Sequence, residues 1–154
     1  MTLKIGDLAP NFSLPSDADS TVSLSDFKGK NIILYFYPKD DTPGCTLEAC
    51  GFTEVKEDIE ALNALVLGVS KDSVASHKKF KEKHSITFTL LSDSDGVVCN
   101  AYDTWVEKSM YGKKYMGIDR STFLIDSDGL LRALWRGVKV SGHIPAVLNA
   151  LKQL

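Results

Sequence analysis

The chain has no apolar run approaching the roughly 18 residues that a membrane span requires. Its first residues, Met1-Thr2-Leu3-Lys4-Ile5-Gly6-Asp7, lack the basic segment and apolar segment of a secretory leader. A soluble, cytoplasmic protein without membrane association is the expectation. Charge of one sign is not in excess either, since 18 Lys and Arg stand against 20 Asp and Glu. That balance leaves no electrostatic footprint for nucleic acid. The basic cluster Lys78, Lys79, Lys81 and Lys83 is interleaved with Glu82 and His84, and reads as a solvated helix face. Cysteine is scarce and odd in number, with only Cys45, Cys50 and Cys99. An odd number in a chain this long does not suggest a secreted disulfide framework. There is no Cys-x-x-Cys, the usual signature of thioredoxin-type exchange. The cysteines and the three histidines, His77, His84 and His143, lack zinc-ligand spacing. The histidines therefore read as solvated or capping side chains, and neither metal nor cofactor is expected. Internal repeats and low-complexity segments are absent, and 154 residues fit a single domain spanning 1–154.

What is present alternates between strand and helix. Phe12-Ser13-Leu14 and Val22-Ser23-Leu24 flank turn formers and suggest a small hairpin, followed by a helical turn at Ser25-Asp26-Phe27 that Gly29 stops. Asn31 to Tyr37 is a continuous apolar and aromatic run, the pattern of a strand buried on both faces. A loop from Pro38 to Gly44 leads into a helix in which Phe52, Val55, Ile59 and Leu62 recur at steps of three and four. Thr42 is the natural N-cap and Pro43 suits the first helical position. A buried strand at Ala64–Ser70, a helix at Ser73–Lys83, a short strand at Thr87–Leu91 and a weaker helix at Asp95–Tyr102 follow. The stretch from Asp103 to Asp119 has little periodicity and reads as a loop. Strands at Arg120–Asp126 and Leu130–Arg136 surround an Asp-Gly hairpin turn, and a helix with Ile144, Val147, Leu148 and Leu151 on one face ends the chain. The order specifies an α/β protein with a central mixed sheet flanked by helices, an N-terminal β-hairpin extension and thioredoxin-like architecture.

Cys45 follows a buried strand and lies in the first turn of a helix. Unpaired N–H groups and the positive end of the helix dipole favour a thiolate there, and cysteines in such settings ionise below the free value of about 8.5. A thiolate that attacks peroxide must expel an oxygen anion, which needs preorganised donors. Thr42 stands three residues earlier with a hydroxyl, and Pro38 can exclude water without competing for hydrogen bonds. The sulfenic acid product condenses with a nearby thiol, and Cys50 is five residues on. Five residues of unbroken helix put the two Cα atoms about 8.7 Å apart, beyond the roughly 7 Å a disulfide spans. The first turns must unwind, and Gly51 places a weak point there. Two conformations are expected, helical when reduced and locally unfolded when oxidised. Cys50 as core packing remains an alternative, and Cys99, within Val97-Val98-Cys99-Asn100-Ala101, reads as a buried structural cysteine.

The stretch PKDDTPGCTLEACGF resembles the peroxiredoxin active site, and Thr-Pro-Gly-Cys-Thr-x-x-x-Cys is similar to the bacterioferritin comigratory protein (BCP, or PrxQ) subfamily. The resemblance runs from Gly6-Asp7-Leu8-Ala9-Pro10-Asn11-Phe12 to the last helix. It implies that Cys45 is the peroxidatic cysteine and Cys50 the resolving one, joined in a Cys45–Cys50 disulfide. Pro38 and Thr42 fill the other motif positions. Within Gly117-Ile118-Asp119-Arg120-Ser121-Thr122-Phe123, the same resemblance makes Arg120 the active-site guanidinium and Glu48 the acid that orients it. It also implies a peroxide substrate, thioredoxin or a related dithiol as reductant, and a monomer. Read without it, Arg120 is a surface strand residue and Glu48 a first-turn acid complementing the helix dipole. Dithiol exchange and a non-enzymatic redox sensor are the competing functional classes. Insulin reduction without peroxide consumption would mark the former, and slow peroxide reaction with a bound partner the latter.

Overall fold

A computed structural model describes residues 3–154. Its centre is a five-stranded sheet in the order β5-β4-β3-β8-β9. Strands β3 (Asn31–Phe36), β4 (Ala64–Ser70) and β5 (Thr89–Ser92) run parallel, while β8 (Ser121–Ile125) and β9 (Leu131–Trp135) add an antiparallel edge. The apolar run in β3 has the physical basis the sequence suggests. Ile33, Tyr35 and Tyr37 face one core and Ile32, Leu34 and Phe36 the other, none more than 3% exposed. Each such side chain contributes about 1.5–3 kcal/mol on burial, which fixes β3 as the middle strand.

On the first face pack α1 (Pro43–Glu54), α2 (Lys56–Ala61), α3 (Val74–His84) and α5 (His143–Lys152), through Phe52, Ile59, Phe80 and Ile144 among others. On the second, α4 (Val97–Ala101) contributes Val98 and Cys99, and the N-terminal hairpin of β1 (Ser13–Pro15) and β2 (Thr21–Ser23) contributes Leu14. The Asp-Gly turn between β8 and β9 forms as expected. Gly129 takes φ +83, and the Asp126 carboxylate accepts from the N–H groups of Asp128 and Leu130.

Two expectations are corrected. The region from Asp103 to Asp119 is mostly a β-hairpin of its own, β6 (Trp105–Met110) paired with β7 (Lys113–Ile118). Tyr111 and Gly112, at φ +52 and +77, supply the left-handed pair that a tight two-residue turn requires. The strands lie outside the main sheet and are largely exposed, so no alternation of apolar and polar residues marks them. The helix expected to run unbroken through Leu62 is interrupted at Val55, which leaves the helical region at ψ 16 and donates its N–H to the Thr53 carbonyl.

Candidate active site

The strand order explains how distant residues meet. Cys45 enters from the carboxyl end of β3, and β8 runs the other way with Ser121 opposite Phe36. Arg120 therefore lies one step beyond the pairing, at the sheet edge where α1 begins. Its Nη2 donates to Cys45 Sγ at 3.3 Å, and its Nη1 donates to Glu48 Oε1 at 2.8 Å. Gly44 lets the guanidinium in, because a Cβ there would stand 3.0 Å from Arg120 Nη2. Cys45 and Glu48 are buried and three residues apart on α1, so one helix face presents the sulfur and the acid together. Of the two readings of Arg120, the surface one fails, since its side chain is only 16% exposed.

The charges interact strongly. Burial works against the charge of Arg120, but the neighbouring Cys45 and Glu48 outweigh it and hold the guanidinium above its ordinary value. Burial pushes the Glu48 carboxyl up to about 7, against the pull of Arg120. Glu48 Oε2 makes no hydrogen bond among the described residues, and His143 Nε2 lies 4.0 Å from it. That His143 nitrogen sits 2.7 Å from Thr122 Oγ1, and burial followed by the nearby Arg120 depresses the imidazole to about 4. The buried Tyr35 phenol is also without a partner among the described residues, and its ionisation is driven well up by burial and then by Glu48.

Thr42 occupies the N-cap position, and its carbonyl accepts the Thr46 N–H at 2.8 Å. Its side chain does not cap the helix. The hydroxyl donates to the Lys39 carbonyl at 2.9 Å, closing the loop on itself. Pro38 is exposed on the same loop. Cys50 is half-buried on α1, which is continuous across both cysteines, and all three thiols are free. Gly51 has a packing role that its sequence position did not reveal. A Cβ there would meet Ile144 Cγ1 at 2.8 Å, so α1 and α5 approach closely only because the residue is glycine. Cys99 is fully buried, and burial followed by Asp93 pushes its thiol far up, which disfavours the thiolate there.

The histidines depart from expectation. His77 is fully buried and His143 is 5% exposed, so neither is solvated. Both lie where tertiary packing joins distant segments, and no local spacing signals that. The lysine face of α3 is anchored as well as solvated. Lys81 Nζ donates to Asp17 and Lys83 Nζ to Asp41, both at 2.8 Å, and Lys78 pairs with Asp19. Among the described residues no cluster of three His, Cys, Asp or Glu is arranged to hold a metal ion, and no helix is long and apolar enough to cross a membrane.

Comparison with known proteins agrees with this geometry. Residues 5–134 match the model of the AhpC/TSA family. The chain is 52% identical over 154 residues to peroxiredoxin Bcp of Bacillus subtilis, covering 100% of this chain and 98% of that one. It is 46% identical over 151 residues to peroxiredoxin Bcp of Escherichia coli, covering 98% and 97%. Among solved structures, a mutant of Xylella fastidiosa PrxQ superposes with a TM-score of 0.94 at 44% identity, covering 99% of this chain and 98% of that one. The Xanthomonas campestris bacterioferritin comigratory protein superposes at 0.90 with 42% identity, covering 98% and 96%. With a buried cysteine at a helix start, an arginine on its sulfur and these relatives over its whole length, the chain belongs to the AhpC/TSA family and, within it, to the BCP/PrxQ peroxiredoxins, which are thiol-dependent peroxidases.

Proposed function

We propose that Cys45 attacks peroxide and that Cys50 resolves the product. The observation that carries this is the Arg120 guanidinium, 3.3 Å from Cys45 Sγ and aimed by Glu48. The Cys45 thiolate attacks one peroxide oxygen and the O–O bond breaks. The departing hydroxide or alkoxide takes a proton and leaves as water or alcohol, while the sulfur becomes a sulfenic acid. Arg120 donates toward the sulfur throughout and toward the oxygen on which charge develops. Thr42, whose hydroxyl proton is committed to Lys39, offers its oxygen to the O–H of the incoming peroxide. Pro38 forms part of the rim. After the start of α1 unwinds, the Cys50 thiolate attacks the sulfenic sulfur, the S–O bond breaks, the departing hydroxide takes a proton and leaves as water, and a Cys45–Cys50 disulfide forms. Thioredoxin or a related dithiol returns both thiols, and the chain works as a monomer. The Xanthomonas campestris relative is associated with alkyl peroxide reduction, which supports organic hydroperoxides as substrates beside hydrogen peroxide. Stopped-flow kinetics test the assignment. Cys45→Ser should abolish peroxide consumption, and Cys50→Ser should complete one turnover without recycling. A Cys45→Ser variant that still consumes peroxide ends the reading.

A further inference from the structure

The segment that delivers Cys45 is tied to α3 by contacts that the reaction above does not use. Asp40 and Asp41 are adjacent in the loop before α1. The Asp40 carboxylate meets three polar groups: Tyr37 Oη donates to Oδ1 at 2.5 Å, Ser76 Oγ donates to Oδ2 at 2.8 Å, and His77 Nδ1 lies 2.7 Å from Oδ2. Asp41 is held at φ +59, in the left-handed region that Asp enters more readily than most side chains. It pairs with Lys83 Nζ and His84 Nε2, both at 2.8 Å. His77 and His84 are seven residues apart, two turns along one face of α3. That helix therefore holds two consecutive aspartates of the loop.

The hydrogen bonds of His77 define its charge. A carboxylate receiving hydroxyl donors on both oxygens is acceptor-only, so Nδ1 must carry a proton. On the other side of the ring, Nε2 faces the Leu91 carbonyl at 2.8 Å, which also only accepts. Both nitrogens are donors only in the imidazolium form. Among the described residues, the polar groups that act on the ring are Tyr37 just past β3, Asp40 in the loop, Asp72 between β4 and α3, Ser76 on α3 and the Leu91 carbonyl on β5. Asp40 and Asp72 are acidic; the basic side chain one turn along α3, Lys81, is paired at 2.8 Å with Asp17, whose other oxygen accepts the Leu90 N–H. Asp72 in turn accepts the Asp40 N–H at 2.8 Å, so both the backbone and the side chain of Asp40 are fixed.

We propose that His77 is a fully buried imidazolium and a positioning residue for the peroxidase. Its charge holds Asp40, and through Asp40 the Pro38–Thr42 segment, so that α1 starts where Cys45 meets Arg120. Burial opposes the charge, but Asp40, the Leu91 carbonyl and Asp72 together raise the imidazole above its ordinary value, in agreement with the geometry. The positioning role rests on Cys45 as the attacking sulfur; the charge of His77 does not.

Nitrogen-15 NMR of the reduced protein should show protons on both ring nitrogens of His77 at pH 7. The rate of the reduced protein with hydrogen peroxide should fall on the alkaline side as that proton is lost. His77→Gln should lower the neutral rate by about ten- to a hundredfold, since misplacing a reacting group by about 1 Å costs about two orders of magnitude. It should also lack the alkaline fall, and Asp40→Asn should reproduce both effects. A purely structural role would lower the melting temperature and leave the alkaline limb in place. A bare ring nitrogen at pH 7 overturns the charge, whether or not the variants fold. A His77→Gln variant with the wild-type rate, or with the alkaline limb intact, overturns the positioning. If Cys45→Ser retained activity while both nitrogens stayed protonated, the assignment of the attacking sulfur would fail and the imidazolium would stand.

Discussion

Two buried histidines, one against the loop before α1 and one against α1 itself, differ in which form of the ring their surroundings favour. His77 faces Asp40 and Asp72, and its imidazole is raised. His143 faces the Thr122 hydroxyl with Arg120 nearby, and its imidazole is depressed to about 4. Burial disfavours the charged form at both, so the difference comes from the partners. Carboxylates outweigh burial at one site, and a guanidinium adds to it at the other. One histidine anchors the loop as a cation, while the other packs as a neutral ring against Trp135 and Phe52.

Removing the carboxylate that distinguishes the His77 site should have the largest effect. Asp40→Ala leaves a buried cation with one partner gone, which typically costs about 3–5 kcal/mol. Urea denaturation should show that loss, and an unchanged midpoint would mean that the pair contributes little. Arg120→Met acts on the other site. It should lower the peroxide rate by about a hundred- to a thousandfold, the usual cost of one preorganised donor. It should also let the His143 imidazole titrate higher, which NMR follows in the same variant.

Gly51→Ala comes next, with a predicted loss of about 1–3 kcal/mol from overpacking against Ile144. A neutral result in thermal unfolding would show that α5 can shift without penalty. The smallest effect is in the pH dependence. A depressed histidine binds its proton more readily when unfolded, so His143 contributes stability that is complete above about pH 6.5 and falls toward about pH 4. Glu48, raised to about 7, has the opposite slope, losing stability as pH climbs from about 4.5 toward 7. Glu48→Gln should remove the second slope and unmask the first, so that stability rises with pH across the acid range. An unchanged profile would sever the two groups.

Strands and the helix start were legible because local pattern determines them. The run Asn31 to Tyr37 could be buried only on both faces, and Pro43 after Thr42 could only open a helix. The β6–β7 hairpin was not legible, because strands exposed on both faces need no apolar alternation. The Arg120 role came from family likeness, since nothing local distinguishes that arginine until β8 is paired against β3. Neither buried histidine was foreseen, because their partners lie 37 and 21 residues away in the chain. In sequence Gly51 showed only a weak point in the helix and Gly44 only the end of a loop, whereas the structure shows that each leaves room for a neighbour.

The face of α1 that carries Cys45, Glu48, Ala49 and Phe52 is packed into the core, with Phe52 against Tyr35 and Phe88. Forming the proposed Cys45–Cys50 disulfide must pull part of that face out of its socket. The energy that seats the helix in the dithiol form is then missing from the disulfide form, which makes the couple more oxidising than the same two sulfurs in an unstructured peptide. Each tenfold preference for the seated helix raises the midpoint potential by about 30 mV. The electron-accepting strength of the proposed disulfide is then set in part by an aromatic ring, Phe52, seven residues along the helix from Cys45.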